Sequence, residues 1–434
     1  MADRVVITGM GIVCPLGNDV ETLWRAILAG KSGVAKTTIF DASTCPTTFG
    51  AEVKDYDFTE YTKNPQLHAH GNRGSKFAIG AAVQACKQAG LDVETSEPAD
   101  GIDRSRLGIY LGAGEGPVDN DVFFAAIVEG WDAEKNEMDW RRWAKVAFGR
   151  MDPMRELEQG PNMPTAHIAM LTGARGPTRS CLTACAASTQ AVGEAMMLIR
   201  RGDADVMIAG GTHSMIHPLG TMGFNRLTAL STRNDSPETA SRPFTASRDG
   251  FVLGEGAAIL VLESLSSAKR RDVEILAEVI GYGSSSDAFR ITDMHEEGRG
   301  PIQAMTAALA DAGISYKDVD YISTHGTSTT ENDSIETIAI KGVFKEEAKN
   351  VPASSVKSML GHLIGAAGAA ELITCILAIR DNIVPPTINL NDPDPELDLD
   401  YVPNEPRKCR VDVAMNESFG FGGQNNVVIV KRFS

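Results

Sequence analysis

Between Val5 and Val430, short apolar runs alternate with helix-forming stretches and glycine-containing loops, and near Val273 the same programme starts again. The first pass reads as strand over 4–9, helix over 20–28, helix over 76–89, then strands over 107–112, 204–210 and 257–262. A polar segment from Ser264 to Arg271 follows. The second pass reads as strand over 275–280, helix over 301–312, and strands over 320–323 and 426–430. In each half a short strand runs into a glycine loop, Leu111-Gly-Ala-Gly114 in one and Thr324-His-Gly-Thr327 in the other. An apolar strand before a Gly-rich element also occurs in each, at Met207–Gly211 and Val411–Met415. Alternation of this kind predicts an α/β fold with mixed or mostly parallel sheets, built by duplication.

The chain is long enough to bury a large core: 434 residues, 42 of them glycine, suggest two or three domains or one large domain of two halves. Lys plus Arg number 41 against 57 Asp plus Glu, a formal net charge of −16. That balance argues against broad nucleic-acid binding and gives no reason to expect affinity for anionic membranes. A local basic patch at Trp140-Arg-Arg-Trp-Ala-Lys145, with Arg150 behind it, reads equally as a docking patch or a solvated helix face. No apolar run spans a membrane and the beginning lacks a signal-peptide pattern. Seven irregularly spaced cysteines predict reduced thiols and a cytoplasmic location. The stretch Pro385–Pro395 reads as an extended surface loop.

Four elements carry candidate chemistry. Cys185 stands where Ser180-Cys-Leu-Thr-Ala-Cys185 turns into a helix of small residues ending at Arg200. A thiol there faces unpaired N–H groups and the positive end of the helix dipole, which predicts a stabilised thiolate. The alternative is a buried structural cysteine. His325, at a strand end before Gly326, is either aimed at a cavity or structural; Thr327 and Thr329 beside it could hydrogen-bond a polar ligand. Lys357 and His362 lead into a helix of small apolar residues ending at Glu371, for which Lys357 is the candidate buried partner. The fourth element, Glu417-Ser-Phe419-Gly-Phe421-Gly-Gly-Gln-Asn425, reads as a glycine-rich turn whose N–H groups can approach a reacting atom.

In this order and spacing, the four elements resemble those of the elongating type II β-ketoacyl-acyl-carrier-protein synthases of the thiolase superfamily. The likeness extends over essentially the whole chain, including Val6–Ile12, Leu230–Asp235, Ser241–Phe244, Arg248–Gly256 and Pro385–Asn389. It implies a thiolase-like fold of two duplicated halves, 1–268 with the nucleophile and 269–434 with the histidines, layered α-β-α-β-α. It further implies that Cys185 accepts an acyl chain from a carrier-protein thioester. His325 and His362 would then stabilise the enolate left by decarboxylation of malonyl-carrier protein. Lys357, paired with Glu371, matches the lysine that organises the histidines, and Thr327 and Thr329 match the pair that holds the phosphopantetheine arm. Backbone N–H groups of Cys185 and Phe419 would form the oxyanion hole, with Phe419 as the gate. The resemblance implies no metal and no cofactor beyond the phosphopantetheine of acyl carrier protein; His68-Ala-His70 makes no metal site. It implies a homodimer, with a heterodimer with a related subunit as the alternative. The implied reaction is the condensation step of fatty acid elongation.

The chain departs from that pattern around the gate. Glu417 and Gln424 flank the Gly-Phe loop where the family usually has Asn and Thr, and Gln66–Arg73 replaces a basic helix used for carrier-protein docking. The segment from Pro117 to Gly160 is longer than usual. A ketosynthase of a polyketide, polyene or unusual-lipid pathway is therefore the alternative function, followed by a non-catalytic chain-length subunit. A thiolase is disfavoured, since the Gly-rich loop holds phenylalanine where that chemistry places a second cysteine. An initiating synthase is disfavoured by His362, where that class more often has Asn.

Overall fold

The computed structural model describes residues 3–434; Met1 and Ala2, where the expected N-terminal half and the leader reading begin, lie outside the described residues. Its principal strands are β1 (Val5–Val13), β2 (Leu107–Ala113), β3 (Thr178–Cys181), β4 (Val206–His213), β5 (Gly256–Ser264), β6 (Ala277–Ser286), β7 (Tyr321–Ser323), β8 (Ala353–Ser354), β9 (Val413–Gly420) and β10 (Gln424–Lys431). The helices that bear on the site are α1 (Arg73–Gln88), α2 (Asn120–Gly130), α3 (Trp140–Arg150), α4 (Met163–Thr172), α5 (Ala187–Arg200), α6 (Arg299–Ala312), α7 (Thr330–Phe344) and α8 (Ala367–Asp381).

The strands form one ten-stranded sheet in the order β8-β7-β9-β10-β6-β1-β5-β4-β2-β3. Cut between β6 and β1, each half has its strands in the order third, second, fourth, fifth, first. In both halves the third and fourth strands run parallel to the second, and the fifth pairs antiparallel with the fourth and the first. The halves join through a short antiparallel ladder, Val5–Ile7 against Ala277–Val279.

Duplication reaches individual residues. The opening strand of each half breaks register at the same place, between Ile7 and Gly9 and between Val279 and Gly281. Beyond each break come two glycines two residues apart, over which a helix lies. A Cβ at Gly11 would stand 2.0 Å from the Ala81 carbonyl oxygen of α1, and one at Gly283 2.0 Å from that of Ala304 on α6. The glycines thus let a helix backbone rest directly on the sheet.

Helices α1 and α4 cover the outer face of the first half-sheet, and α6, with α7 packed against it, covers that of the second. Helices α5 and α8 touch strands of both half-sheets and each other, forming the middle layer. The result is the thiolase-like α-β-α-β-α arrangement, with apolar cores above, between and below the half-sheets. The polar segment after β5 is a helix, Leu265–Arg271, capped by Ser264, so the expected junction at 268/269 falls inside a helix. Among the described residues no helix is long and apolar enough to cross a membrane.

Candidate active site

Strand β3 ends at Cys181, and the chain then turns through Ala184, whose φ of 48° is left-handed for a residue with a side chain. Such a conformation costs on the order of 1–3 kcal/mol and persists only when its surroundings enforce it. It sets Cys185 in a short 3-10 turn, Ala184–Ala186, at the head of α5. The sulfur is buried, and the backbone N–H groups of Phe421 and of Cys185 itself act on it electrostatically. Burial pushes the thiol up to about 11, against the opposing pull of the Lys357 ammonium and of these two N–H groups. Desolvation therefore outweighs the expected helix-terminus stabilisation, and the resting group is a thiol.

His325 follows β7, and His362 follows a four-residue helix, Lys357–Leu360, and a left-handed Gly361 at φ 68°. Both imidazoles are buried, with ring centroids 5.4 Å apart and planes at 82°. One ligating atom from each, with the Cys185 sulfur, falls within 4.8 Å of the others. His362 Nδ1 accepts the Ile364 N–H at 3.2 Å, which leaves the ring proton on Nε2. Nε2 finds no partner among the described residues, so it stands ready to donate. Burial, with the Lys357 ammonium next, holds both imidazoles well below their usual value, and they are neutral. Lys357 pairs with Glu371 in the buried interior, as expected. Burial raises the Glu371 carboxyl to about 7 against the opposing pull of Lys357. A buried ammonium beside three N and S atoms suits an anionic intermediate and repels a metal cation.

These residues open onto a cavity of about 280 Å³, lined also by Thr327, Thr329, Phe419 and Phe421. The Thr327 and Thr329 hydroxyls share a hydrogen bond of 2.9 Å. The Phe421 N–H is directed toward the sulfur, whereas Phe419 pairs with Asn425 in the β9–β10 ladder and turns its ring edge-on to His325 at 5.8 Å. Phe421 is half-buried at the mouth of the cavity, and Phe419 is buried.

Sequence reasoning missed the carboxylate behind His325. Glu336 on α7 accepts the backbone N–H groups of His325 at 2.5 Å and Gly326 at 2.7 Å. The spacing Asp333-x-x-Glu336 on a helix capped by Thr329 carried that signal. The segment 117–160 forms α2 and α3, which pack on each other and leave Val128, Trp140 and Phe148 strongly exposed. Its arginines lie on an exposed helix face, Arg142 against Asp139 and Arg150 against Glu129. His68 and His70 do not face a common site: His68 bonds His167, which bonds Glu158, while His70 lies by Asp152.

The sequence pattern of the beta-ketoacyl synthase N-terminal domain matches residues 2–268 and that of its C-terminal domain residues 276–391. A 3-oxoacyl-[acyl-carrier-protein] synthase 2 of Coxiella burnetii is 44% identical over 432 residues, 99% of this chain and 98% of that one. Among solved structures, a type II polyketide synthase acyl-carrier protein in complex with its ketosynthase, bound to the hexaketide, matches with TM-score 0.86 and 33% identity over all of both chains. The ishigamide ketosynthase/chain length factor matches with TM-score 0.86 and 32% identity, again over all of both chains.

Proposed function

From the premise that this chain belongs to the β-ketoacyl synthase family, we propose a role for each residue of the cavity in a decarboxylating condensation. The enzyme is a condensing acyltransferase that makes 3-oxoacyl chains on acyl carrier protein, in fatty acid elongation. It works on carrier-bound substrates without an added cofactor. In the first half-reaction the Cys185 sulfur attacks the acyl thioester of a carrier protein. The new acyl–sulfur bond replaces the old one, and the thiol proton leaves with the pantetheine sulfur. Thr327 and Thr329 hold the phosphopantetheine arm through their hydroxyls.

Malonyl-carrier protein then occupies the same arm site, its thioester carbonyl against His325 and His362. Loss of carbon dioxide leaves an enolate whose oxygen takes hydrogen bonds from neutral imidazoles in a dry pocket. The enolate carbon attacks the acyl-cysteine carbonyl. The oxyanion that results sits between the N–H groups of Cys185 and Phe421, then collapses and expels the Cys185 thiolate, which takes up a proton. Lys357 supplies positive potential to this sequence, and Glu371 keeps its ammonium in place. The convergence of the Cys185 sulfur with a ring nitrogen of each of His325 and His362, all within 4.8 Å, is the observation that carries the reading; imidazoles held neutral donate without first having to lose or gain a proton.

We assign residues 1–268 to the half bearing the nucleophile and 269–434 to the half bearing the histidines. Strand β3 is an edge strand with Thr178 and Arg179 exposed, and a second copy pairing there would make the homodimer. A heterodimer with a related subunit is the alternative, and the location is cytoplasmic. Glu417, Gln424 and helices α2 and α3 favour a second reading, a polyketide, polyene or unusual-lipid pathway; the profile of chain lengths loaded onto Cys185 separates the two. The decisive experiment supplies acyl-carrier protein and malonyl-carrier protein and measures 3-oxoacyl product. Wild type is expected to condense, and Cys185→Ala to lose roughly a thousandfold or more. Retained condensation by the variant, or none by wild type at any chain length, defeats the assignment.

A further inference from the structure

Glu417 is fully buried on β9, and neither of its carboxyl oxygens finds a donor among the described residues. It lies next to another fully buried carboxyl, that of Glu336. Two buried carboxylates in contact cannot both stay ionised. The cations nearby are committed elsewhere: Lys357 pairs with Glu371, and Arg248 with Asp394 and Asp333. Both oxygens of Glu336 accept backbone N–H groups, and Asn332 Nδ2 adds a third bond at 3.3 Å. That donor set suits an ionised Glu336. The family usually has Asn at position 417, and an amide there would have N–H groups to give.

We propose that Glu417 is a positioning residue that holds its proton and donates it to Glu336, fixing the turn that aims His325 into the cavity. The assignment rests on the condensing function only for its kinetic consequence. A neutral Glu417 turns an orphaned acceptor into a donor and satisfies the pair. The Glu336 carboxylate then spans the His325–Gly326 backbone on one side and β9 on the other. Groups facing the pair are Asp333 on α7, Tyr401 in the loop before β9, Lys357, and His325 itself. Two of these, Asp333 and Tyr401, add only acceptors or negative charge on ionising, so the surroundings favour keeping the proton. Burial and Glu336 hold the Glu417 carboxyl well above the carboxylate range. The shared proton is kept at neutral pH and lost as pH rises, after which two like charges press on the turn.

The test compares wild type, Glu417→Gln and Glu417→Ala. In wild type at neutral pH, an infrared carbonyl band of a buried protonated carboxyl is expected, and Glu417→Gln removes it. Glu417→Ala should lower kcat about tenfold while KM changes less than about twofold, because Glu336 loses a donor rather than the substrate a contact. Glu417→Gln should restore most of that kcat, since its amide N–H replaces the acid O–H. Wild-type kcat should fall on the alkaline side where the Gln variant's does not. A missing band in wild type, a band that survives Glu417→Gln, or equal alkaline limbs in the two proteins overturns the proposal. If even wild type makes no 3-oxoacyl product, the condensing function falls and the band alone decides the proton.

Discussion

Two turns in the middle layer have nearly the same backbone and opposite chemistry. Ala184-Cys185-Ala186 leads into α5 and Ile364-Gly365-Ala366 into α8, each as a 3-10 turn opened by a residue at φ 48°. The first carries the nucleophile. The second carries no side chain at the matching position, and its N–H reaches His213 Nδ1 at 3.4 Å. The loops that follow the second strand of each half differ the other way. After β2 comes Gly114, after β7 comes His325. Duplication supplied one strained frame twice, and each copy kept a different half of the reaction. The pattern explains why the site lies where the halves meet and why neither half holds it alone.

The comparison can be broken by acid. Burial holds His213, the residue against the second turn, down at about 4. The unfolded chain therefore takes up a proton near the ordinary value of 6.5 while the folded one does not. Stability is present above that window and is lost as pH falls from 6.5 toward 4, by up to about 3 kcal/mol for this group. His325 and His362, lowered in the same direction, add to the loss. Calorimetry across that range should show the melting temperature falling with pH, and a flat profile would remove the argument for neutral imidazoles.

Position 188 on α5 and position 368 on α8 sharpen it further. Ser188 Oγ accepts the Ala369 N–H at 3.0 Å, whereas a Cβ on Gly368 would stand 1.8 Å from Thr189 Oγ1. Making the helices alike by Gly368→Ser should destabilise by about 2–3 kcal/mol through overpacking, and Ser188→Gly by about 1 kcal/mol through the lost bond. Denaturant titration that ranked them in reverse would mean the two helices are not in the close contact described. The smallest change is expected at the turn itself. A Cβ on Gly365 would meet His213 Nδ1 at 3.4 Å, an ordinary contact, so Gly365→Ala should shift stability by no more than about 0.5 kcal/mol. A large loss there would show that the second turn needs its glycine for more than space.

Much of this was legible in the chain because buried strands are written as continuous apolar runs. Strands β1, β4 and β5 extend only a few residues beyond their apolar centres. Cys185, His325, His362, Lys357 and Glu371 converge as expected, since each sits on a short, distinctive run. Phe419 and Phe421 could not be told apart, because they are two residues apart in an alternating Gly-Phe segment and only the turn decides which N–H meets the sulfur. The thiol was misjudged for a different reason: a helix terminus is visible in sequence, but the depth of burial that outweighs it is not. Helix α7 stayed hidden because the first turns of its inward face are polar, with Asn332, Asp333 and Glu336 buried against the histidine loop, and its apolar stripe, Ala339, Ile340, Val343 and Phe344, begins only in its second half. An apolar stripe along its whole length would have announced it.

Strand β1 has a bearing on how the chain is made. It leaves a ribosome long before either strand it pairs with, all nine of its residues are buried in the finished protein, and its partners lie at residues 257–264 and 277–279. At roughly 5–20 residues per second, synthesis needs about ten seconds to a minute to reach them. Through that interval an apolar β-strand with two open edges waits in the company of other nascent chains. Dependence on a holding chaperone should therefore be concentrated at β1, and translation speed between β1 and β6 becomes a determinant of yield.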